Sequence, residues 1–383
     1  MNNWTHLRAA DFLEFNPRLS IKKGATATKV AMDKLQPFTK KIPATEQAEF
    51  AGGSKFCNGD TIMARITPCL ENGKTAFVDV LQDGEVGFGS TEFIVMRARD
   101  GISDPHFIYY LATSPSFRNV AVKSMVGSSG RQRVQQGVLD DLELVVPPLT
   151  EQQKIGAFLA LFDEKIALNN KINDNLAEML QSIYQQRFNS FDSDEEHGVL
   201  ADICDYSKDR IAVSSLSVSN YYSTENMLPG KAGAVDASSL PTITQTTKCK
   251  IGDVLISNIR PYFRKIVYCQ SDCGCSTDVL CFSPKISALS AYLFSTLYAD
   301  RFFDFMVAGS KGTKMPRGDK QQIMTYAVHI PSDEELDNFN ELAKPLLAQI
   351  ENNRLENIKL VALRDGLLPK LMSGEIDVSS FQI

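Results

Sequence analysis

The chain has 383 residues, which is enough for two or three domains that each have a hydrophobic core. Its composition, with 43% hydrophobic and 22% charged residues, is typical of a globular protein. The sequence contains no apolar run near the roughly 20 residues that cross a bilayer and no signal-peptide core. We therefore expect a cytoplasmic protein that spans no membrane. The net charge of −6 argues at first against a nucleic-acid partner.

The negative charge is concentrated in two segments. Residues 151–196 contain nine acidic and four basic side chains, a net charge of −5. Residues 332–365 contain eight acidic and four basic side chains, a net charge of −4, so that the other 303 residues carry +3. A DNA-binding surface is compatible with this distribution.

Short strands and one aromatic-rich helix are predicted in the first 147 residues. The β-rich segments TIMARI, TAFVDV and EFIVMRA begin at Thr61, Thr75 and Glu92. They are followed by a helical segment, PHFIYYLATS, and by a loop rich in glycine and arginine, VGSSGRQRV. These elements predict an α/β (α+β) domain.

A long amphipathic helix is predicted next, over residues 148–190, with Thr150 as a candidate N-cap. Its apolar residues recur at steps of three and four and form one narrow stripe. At 1.5 Å per residue such a helix is about 50–60 Å long. One small domain cannot bury a stripe of that length, so we expect the helix to pair with another helix.

The chain then repeats itself. With an offset of 184 in residue number, Pro147 corresponds to Pro331, Phe162 to Leu346 and Asn169 to Asn353. The repeat begins with an exposed link, FDSDEEHG, and continues with DVLISNI, RKIVYC, DVLCF, the helical SAYLFSTLYA and the basic loop AGSKGTKMPRG. It ends in a second long helix, for which Asp333 is the candidate N-cap.

The repeat predicts two copies of one module. The predicted segments are a first domain at 1–147, a first helix at 148–190, a link with the second domain at 191–331, and a second helix with a C-terminal tail at 332–383. We expect the two helices to pair as an antiparallel coiled coil that relates the domains by a pseudo-twofold axis. Two unrelated surface helices are the alternative.

The predicted seam of the coiled coil follows the apolar stripes. Asn169 and Asn353 fall on these stripes, where a buried polar pair would fix the register at some cost in stability. The predicted seam residues are Phe162, Ile166, Asn169, Leu176 and Ile183 in the first helix and Leu346, Ile350, Asn353, Leu360 and Leu367 in the second.

Catalytic signatures are absent from the sequence. There is no G-x-x-x-x-G-K-[ST] phosphate loop and no G-x-S-x-G motif, and the four histidines are scattered. Eight cysteines suit a reduced compartment, and the tightest group, between Cys269 and Cys281, matches no paired zinc spacing. We therefore expect buried thiols, no metal site and no enzymatic activity.

Basic and amide side chains recur beside the strands and glycine loops of both modules. Arg and Lys bind phosphates and guanine, and Asn and Gln bind adenine. Matched positions differ in kind, since Arg65 corresponds to Asn258 and Thr67 to Arg260. Any one of these residues could be a solvated charge, but together they predict two DNA-binding surfaces tuned to different sequences. The candidate DNA-binding residues are Arg65, Thr67, Asn72, Lys74, Arg131, Gln132, Arg133, Asn258, Arg260, Tyr262, Arg264, Lys265, Lys311, Lys314 and Arg317.

Over essentially its full length the chain resembles the specificity (S) subunits of type I restriction–modification systems. The resemblance is carried by LVVPPLTEQQKI at 144–155, LRDGLLPKLMSGEI at 363–376, ARITPCLENGKTA with GSTEFIV, and ISNIRPYF with CSTDVL. The order of domain, helix, domain and helix is that of the family. The second copy departs from the Pro-Pro-Leu-x-Glu-Gln pattern, with Ser332 and Asp333 after Pro331.

The resemblance implies a non-catalytic subunit that recognises double-stranded DNA. Each target recognition domain would read one half of a bipartite asymmetric site in the major groove. The paired helices would set the length of the unread spacer and would dock two modification (methyltransferase) subunits. No cofactor is expected in this chain, because S-adenosylmethionine, ATP and Mg²⁺ would belong to the adenine methyltransferase and to the restriction (translocase and endonuclease) subunits.

Two other functions are compatible with the sequence. One is a coiled-coil assembly scaffold whose domains bind protein and not DNA. The other is a metal enzyme built on the Cys269–Cys281 group. Within the DNA-binding interpretation, the negative net charge also allows an isolated subunit that binds DNA weakly until its partners dock.

Overall fold

A computed structural model of the chain describes residues 4–188 and 197–378. The chain divides into two compact units, of which the first comprises Met1–Asn170 and Leu355–Ile383 and the second comprises Lys171–Arg354. Most of the predicted link at 191–198 lies outside the described residues. The four segment boundaries predicted from the sequence stay a prediction.

The first unit contains ten short strands and the helices that pack on them. The strands are β1 Thr5–Arg8, β2 Leu13–Phe15, β3 Thr26–Val30, β4 Glu46–Glu49, β5 Lys55–Phe56, β6 Thr61–Ala64, β7 Thr75–Phe77, β8 Gly87–Gly89, β9 Phe93–Ala98 and β10 Glu143–Val146. The helices are α1 Ala9–Phe12, α2 Pro105–Thr113, α3 Pro115–Lys123, α4 Gln136–Asp140 and α5 Leu149–Phe188, the last of which continues into the second unit.

The second unit has the same kinds of element. The strands are β11 His197–Val199, β12 Cys204–Tyr206, β13 Arg210–Ala212, β14 Tyr221–Tyr222, β15 Gln245–Cys249, β16 Val254–Ser257, β17 Ile266–Tyr268, β18 Cys273–Cys275, β19 Val279–Pro284 and β20 Ala327–His329. The helices are α6 Leu200–Ile203, α7 Ser290–Tyr298, α8 Asp300–Ala308, α9 Lys320–Ile323 and α10 Asp333–Met372, and α10 ends in the first unit. Short 3-10 turns occur at Val213–Ser215, Val218–Asn220, Pro261–Phe263 and Ser287–Leu289.

The strand order shows that the two units are copies of one fold. An antiparallel sheet ordered β2-β9-β6-β7 in the first unit corresponds to β12-β19-β16-β17 in the second, and the pair β1-β10 corresponds to β11-β20. A second sheet shares three strands, β3-β8-β5 and β14-β18-β15, with the same relative directions. The fourth strand differs, because β4 lies beside β3 whereas β13 lies beside β15. The predicted duplication is therefore confirmed, and the copies differ at one sheet edge.

Each unit has an apolar core formed by one sheet and one aromatic-rich helix. Strands β6 and β16 are buried along their whole length, as expected for central strands of a covered sheet. Helix α2 begins with Pro105 at its first position, and the Asp104 side chain accepts a hydrogen bond from the backbone N–H of Phe107 at 2.8 Å. Helices α2 and α7 were both predicted from the sequence and are confirmed.

Both long helices have 40 residues, and their first turns differ from the prediction. Thr150 lies inside α5, which begins directly after the Pro147-Pro148 pair. For α10 the capping residue is Ser332 and not Asp333. Its Oγ accepts a hydrogen bond from the backbone N–H of Glu335 at 3.3 Å, and its own N–H donates to Glu335 Oε2 at 2.8 Å, which together form a capping box.

The helices pair antiparallel within each unit. In the first unit Asn169 Nδ2 donates to Asn357 Oδ1 at 2.9 Å, and Asp163 forms an ion pair with Arg364. In the second unit Asn353 Nδ2 donates to Asn173 Oδ1 at 2.8 Å. The predicted antiparallel pairing is confirmed, and each predicted asparagine has an asparagine partner on the other helix.

The buried stripe of each helix lies slightly to one side of the predicted seam. Eight of the ten predicted seam residues are half-buried, and the two asparagines are fully buried. Buried side chains outside the predicted seam include Leu159, Asp163 and Leu180 of α5 and Leu347 and Leu368 of α10. This shift arises because each helix also packs against the domain core of its own unit. The residue-level seam assignment stays a prediction.

Lys40 is an unusual member of the first core, since its side chain is only 4% exposed. Its Nζ donates to His106 Nδ1 at 2.9 Å and to the hydroxyl of Tyr110 at 3.3 Å. The Nζ also lies 4.9–5.5 Å from the ring centroids of Phe77, Tyr109 and Tyr110. Burial lowers the pKa of Lys40 to about 8, and burial followed by the charge of Lys40 lowers the pKa of His106.

This buried amine predicts a pH-dependent stability. Because the pKa of Lys40 falls on folding, protonation of its amine destabilises the folded protein. This free-energy penalty is complete below the folded pKa of about 8 and disappears as the pH approaches the ordinary value of 10.5. Relative to Lys40→Met, the wild type should therefore gain about 2 kcal/mol of stability between pH 7 and pH 10, measured by urea denaturation. Lys41→Met, at a more exposed neighbouring lysine, should preserve this gain. Equal pH dependence in wild type and Lys40→Met would contradict the prediction.

None of the helices within residues 4–188 and 197–378 has the length and apolar character needed to cross a membrane.

Candidate nucleic-acid interface

In the first unit the basic loop at residues 126–134 packs against the chain that leaves strand β6. The backbone N–H of Thr67 donates to the carbonyl of Gln132 at 3.0 Å, and the N–H of Gln132 donates to Thr67 Oγ1 at 2.9 Å. The N–H of Val134 donates to the carbonyl of Arg65 at 2.9 Å. Arg65, Thr67 and Gln132, which the sequence proposed separately, are thus adjacent, and Arg131 is exposed beside them.

An ion pair fixes this first loop. Arg133 makes hydrogen bonds of 2.6–3.0 Å to the carboxylate of Glu92, and this pairing lowers the pKa of Glu92. The backbone carbonyl of Glu92 accepts from the N–H of Arg65 at 2.9 Å. Glu92 therefore joins the β6 exit to the loop, and the charge of Arg133 is already balanced within the unit.

The second unit has the same arrangement. Arg317 Nη2 lies 3.0 Å from Asp278 Oδ1, and the carbonyl of Asp278 accepts from the N–H of Asn258 at 2.8 Å. The N–H of Arg260 donates to the carbonyl of Pro316 at 2.8 Å, and Lys311 and Arg317 exchange two backbone hydrogen bonds of 2.9 Å. We call these two arrangements the first and second basic-loop sites. The first site comprises Arg65, Thr67, Glu92, Arg131, Gln132 and Arg133, and the second comprises Asn258, Arg260, Asp278, Lys311, Lys314 and Arg317.

Polar atoms without partners lie at both sites. Within the described residues, Arg65 Nε, Asn258 Oδ1 and Arg260 Nε are buried and have no hydrogen-bond partner. Arg260 also has a left-handed backbone, with φ of 51°, which is uncommon for a residue with a side chain. Buried polar groups are normally satisfied, so these atoms are free to bond to water or to a polar ligand.

Several of the predicted DNA-binding cations have partners inside their own unit. Lys74 Nζ donates to the carbonyl of Met32 at 2.9 Å, and Lys265 Nζ donates to that of Thr224 at 2.5 Å. Arg264 lies 2.8 Å from Asp300 and 3.2 Å from Asp304, both on α8. Lys311 pairs with Asp319, which also caps α9.

Lys74, Arg264, Lys265 and Lys311 thus have a partner within their own unit, and their role as DNA contacts stays a prediction. Asn72 is exposed in the turn after β6, where its backbone N–H donates to the carbonyl of Pro68 at 2.9 Å. Lys314 is exposed at the second basic loop. Arg131 and Lys314 are therefore the predicted cations best placed to reach a ligand.

An exposed aromatic pair lies next to the second site. Tyr262 is 50% exposed and Phe263 is 40% exposed, and their ring centroids are 4.8 Å apart. Tyr262 was predicted from the sequence, whereas Phe263 was missed although it is the next residue. Exposed aromatic rings offer stacking or apolar contact to nucleic-acid bases.

The sequence also missed Glu92 and Asp278. A sequence feature could have identified these two acids, since a Ser-Thr-acid segment occurs in both modules, at Ser90–Glu92 and Ser276–Asp278. Its role became visible only when the acid was placed against an arginine about 40 residues later.

The cysteine group lies in an apolar core of the second unit. Cys249, Cys269, Cys273, Cys275 and Cys281 are buried together with Leu255 and Val279. Cys269 Sγ and Cys273 Sγ are 3.6 Å apart, and Cys281 Sγ donates to Asp253 Oδ2 at 3.3 Å. Among the described residues, no three Cys, His, Asp or Glu side chains are placed to share a metal ion.

The chain is similar to several known proteins. Residues 54–178 match the family described as the type I restriction modification DNA specificity domain. The EcoAI specificity subunit of Escherichia coli, from a type I restriction enzyme, is 36% identical over 104 residues, which is 27% of this chain and 18% of that relative. The MjaIX specificity subunit of Methanocaldococcus jannaschii, also from a type I restriction enzyme, is 22% identical over 307 residues, 73% of this chain and 71% of that relative.

The fold is shared with a solved structure. The type I restriction-modification system S subunit from M. genitalium superposes with a TM-score of 0.53 at 16% sequence identity, with 96% of each chain covered. The match to the E. coli relative, in contrast, spans less than a fifth of that protein's length.

Proposed function

We propose that the chain is a type I restriction–modification specificity subunit and recognises DNA sequence, because residues 54–178 match the DNA specificity domain of that family. Each unit would read one half of a bipartite site through its basic-loop site. The observation that carries this proposal is the common backbone frame of the two sites, combined with their different side chains. The Glu92–Arg133 and Asp278–Arg317 pairs recur, whereas Arg65 and Thr67 are replaced by Asn258 and Arg260.

The available side chains suit base recognition. A guanidinium donates two hydrogen bonds to guanine, and an amide donates to and accepts from adenine. At the first site Arg131 and Gln132 would approach the bases from the loop, and at the second site Arg260 and Asn258 would do so from the β16 exit. Since the hydrogen-bonding groups differ, we propose that the two units read different half-sites.

The proposed partners are those that the family implies. We propose that the chain itself is non-catalytic and acts with two methyltransferase subunits, which would hold S-adenosylmethionine, and with restriction subunits, which would use ATP and Mg²⁺. The paired helices α5 and α10 would dock the methyltransferase subunits and determine the length of DNA between the half-sites.

Salt-dependent binding to a random duplex tests the proposal against the scaffold alternative. We expect binding at 50 mM salt that weakens steeply by 200 mM, because phosphate contacts release counterions. Binding should strengthen when the methyltransferase partner is added, since the chain carries a net charge of −6.

The double variant Arg131→Ala with Lys314→Ala should weaken this binding by about 10-fold or more and reduce the salt slope by about 2, one unit per lost contact. Lys344→Ala removes an exposed charge on α10 and should leave DNA binding by the isolated chain unchanged. No binding with or without the partner would favour the protein-binding scaffold.

A further inference from the structure

One polar contact of the helix pair occurs twice. The offset of 184 converts Asn169 into Asn353 and Asn173 into Asn357. The bond between Asn169 and Asn357 in the first unit is therefore the counterpart of the bond between Asn353 and Asn173 in the second. A buried amide pair fixes the register of paired helices. Both units contain the same asparagine pair. This pair therefore cannot determine whether a given helix packs on α5 or on α10.

A second polar contact occurs only once. Asp163 and Arg364 form a buried ion pair in the first unit, with 4% and 7% exposure. The same offset places Leu347 and Leu180 at the matching positions of the second unit, where they belong to one hydrophobic cluster. One position of the repeated seam is thus charged in the first unit and apolar in the second.

The ion pair is well satisfied where it stands. Asp163 also accepts a hydrogen bond from the hydroxyl of Tyr110, and Arg364 also contacts Asp365 at 2.8 Å. A buried ion pair with further hydrogen bonds roughly balances its own desolvation, whereas loss of one partner leaves a buried charge that is strongly unfavourable.

Self-pairing of either helix would separate these charges. If α5 packed antiparallel on the α5 of a second copy in the observed register, Asp163 of each copy would face Leu180 of the other. If α10 packed on α10, Arg364 would face Leu347. Each such contact would bury a charge without its partner. Only α5 against α10 brings charge to charge and leucine to leucine.

We propose that the Asp163–Arg364 pair selects the pairing of α5 with α10 and disfavours the packing of either helix on the same helix of a second copy of this chain. Both helices carry the same apolar stripe and the same asparagine pair. These features alone would allow each helix to pack on the same helix of a second copy. The single charged position removes that symmetry. This role in assembly goes beyond DNA recognition and does not depend on it.

The experiment measures the mass of the full-length chain after unfolding in urea and refolding at micromolar concentrations, by gel filtration with light scattering. The wild type should refold as a monomer. The double variant Asp163→Leu with Arg364→Leu makes the seam apolar in both units, and we expect its self-association to tighten by about 100-fold or more, so that dimers and larger species appear.

A charge exchange is the matched control. Asp163→Arg with Arg364→Asp keeps opposite charges in the α5–α10 pairing and still leaves them unpaired when a helix packs on its own copy, so this variant should refold as a monomer. If the leucine pair fails to refold, Asp163→Met with Arg364→Met repeats the test with more adaptable side chains.

Three results would overturn the proposal. They are a wild type that already self-associates under these conditions, apolar variants that stay as monomeric as the wild type, and a charge-exchanged variant that associates as strongly as the leucine pair.

Discussion

Replacing Asp163 alone with leucine should lower the free energy of unfolding by about 3 kcal/mol. Arg364 is only 7% exposed and would lose the carboxylate that faces it across the helix pair. The remaining contact with Asp365 keeps the expected loss at the lower end of the 3–5 kcal/mol that is typical for a broken buried pair. Tyr110 would also lose the acceptor of its hydroxyl.

Two further variants show whether charge or packing is responsible. Adding Arg364→Leu to Asp163→Leu should restore most of the stability, because two leucines already fill the matching positions in the second unit. Asp163→Asn keeps the size of the side chain and an acceptor for Tyr110, and it should therefore isolate the loss of charge. Urea denaturation followed by circular dichroism, at concentrations where every variant is monomeric, gives these values. A loss below 1 kcal/mol for Asp163→Leu, or a double variant as unstable as the single one, would contradict the prediction.

Much of the fold is predictable from the sequence because its strongest signals are local or repeated. The stripes of α5 and α10 have helical spacing, and the offset of 184 shows that both belong to one duplicated module. The strands around Thr61 and Val254 have β-rich patterns and lie where they were expected. The pairing of the two helices was expected from the length of their apolar stripes.

Long-range pairs of charges were not predictable. Asp163 and Arg364 are 201 residues apart, and each lies in a segment whose many charges are typical of a solvated helix face. Lys40 gave no sign of burial, since the residues on either side of it, Thr39 and Lys41, are polar. Such residues become recognisable only when the fold places a partner or an aromatic ring beside them.

The candidate site was predictable in outline and not in detail. Arg65, Arg131, Asn258 and Arg260 were predicted from their residue types and from the repeat between the two modules. They lie at the two basic-loop sites. The same reasoning could not detect that Arg264 faces acids on α8, because no sequence pattern links them. It also treated Arg133 and Arg317 as free cations, although each pairs with the acid of a Ser-Thr-acid segment.

Arg131→Ala and Arg260→Ala should each weaken binding of the cognate DNA by about 1–3 kcal/mol, or roughly 5- to 150-fold, if the residue contacts a base. The loss should be confined to one half-site, because Arg131 belongs to the first unit and Arg260 to the second. Equal weakening on all sequences, with a salt slope reduced by about 1, would instead identify a phosphate contact. Lys344→Ala on α10, measured on the isolated chain, is the control for a simple change of net charge.

Mapping methylated adenines in cells that express this chain with the proposed modification subunit tests most directly whether two separately tuned sites read the DNA. The wild type should give a bipartite sequence with a fixed spacer. Arg131→Ala should relax one half, Arg260→Ala should relax the other, and the spacer should stay the same in both. A single continuous site, or one substitution that relaxes both halves together, would contradict recognition by two independent units.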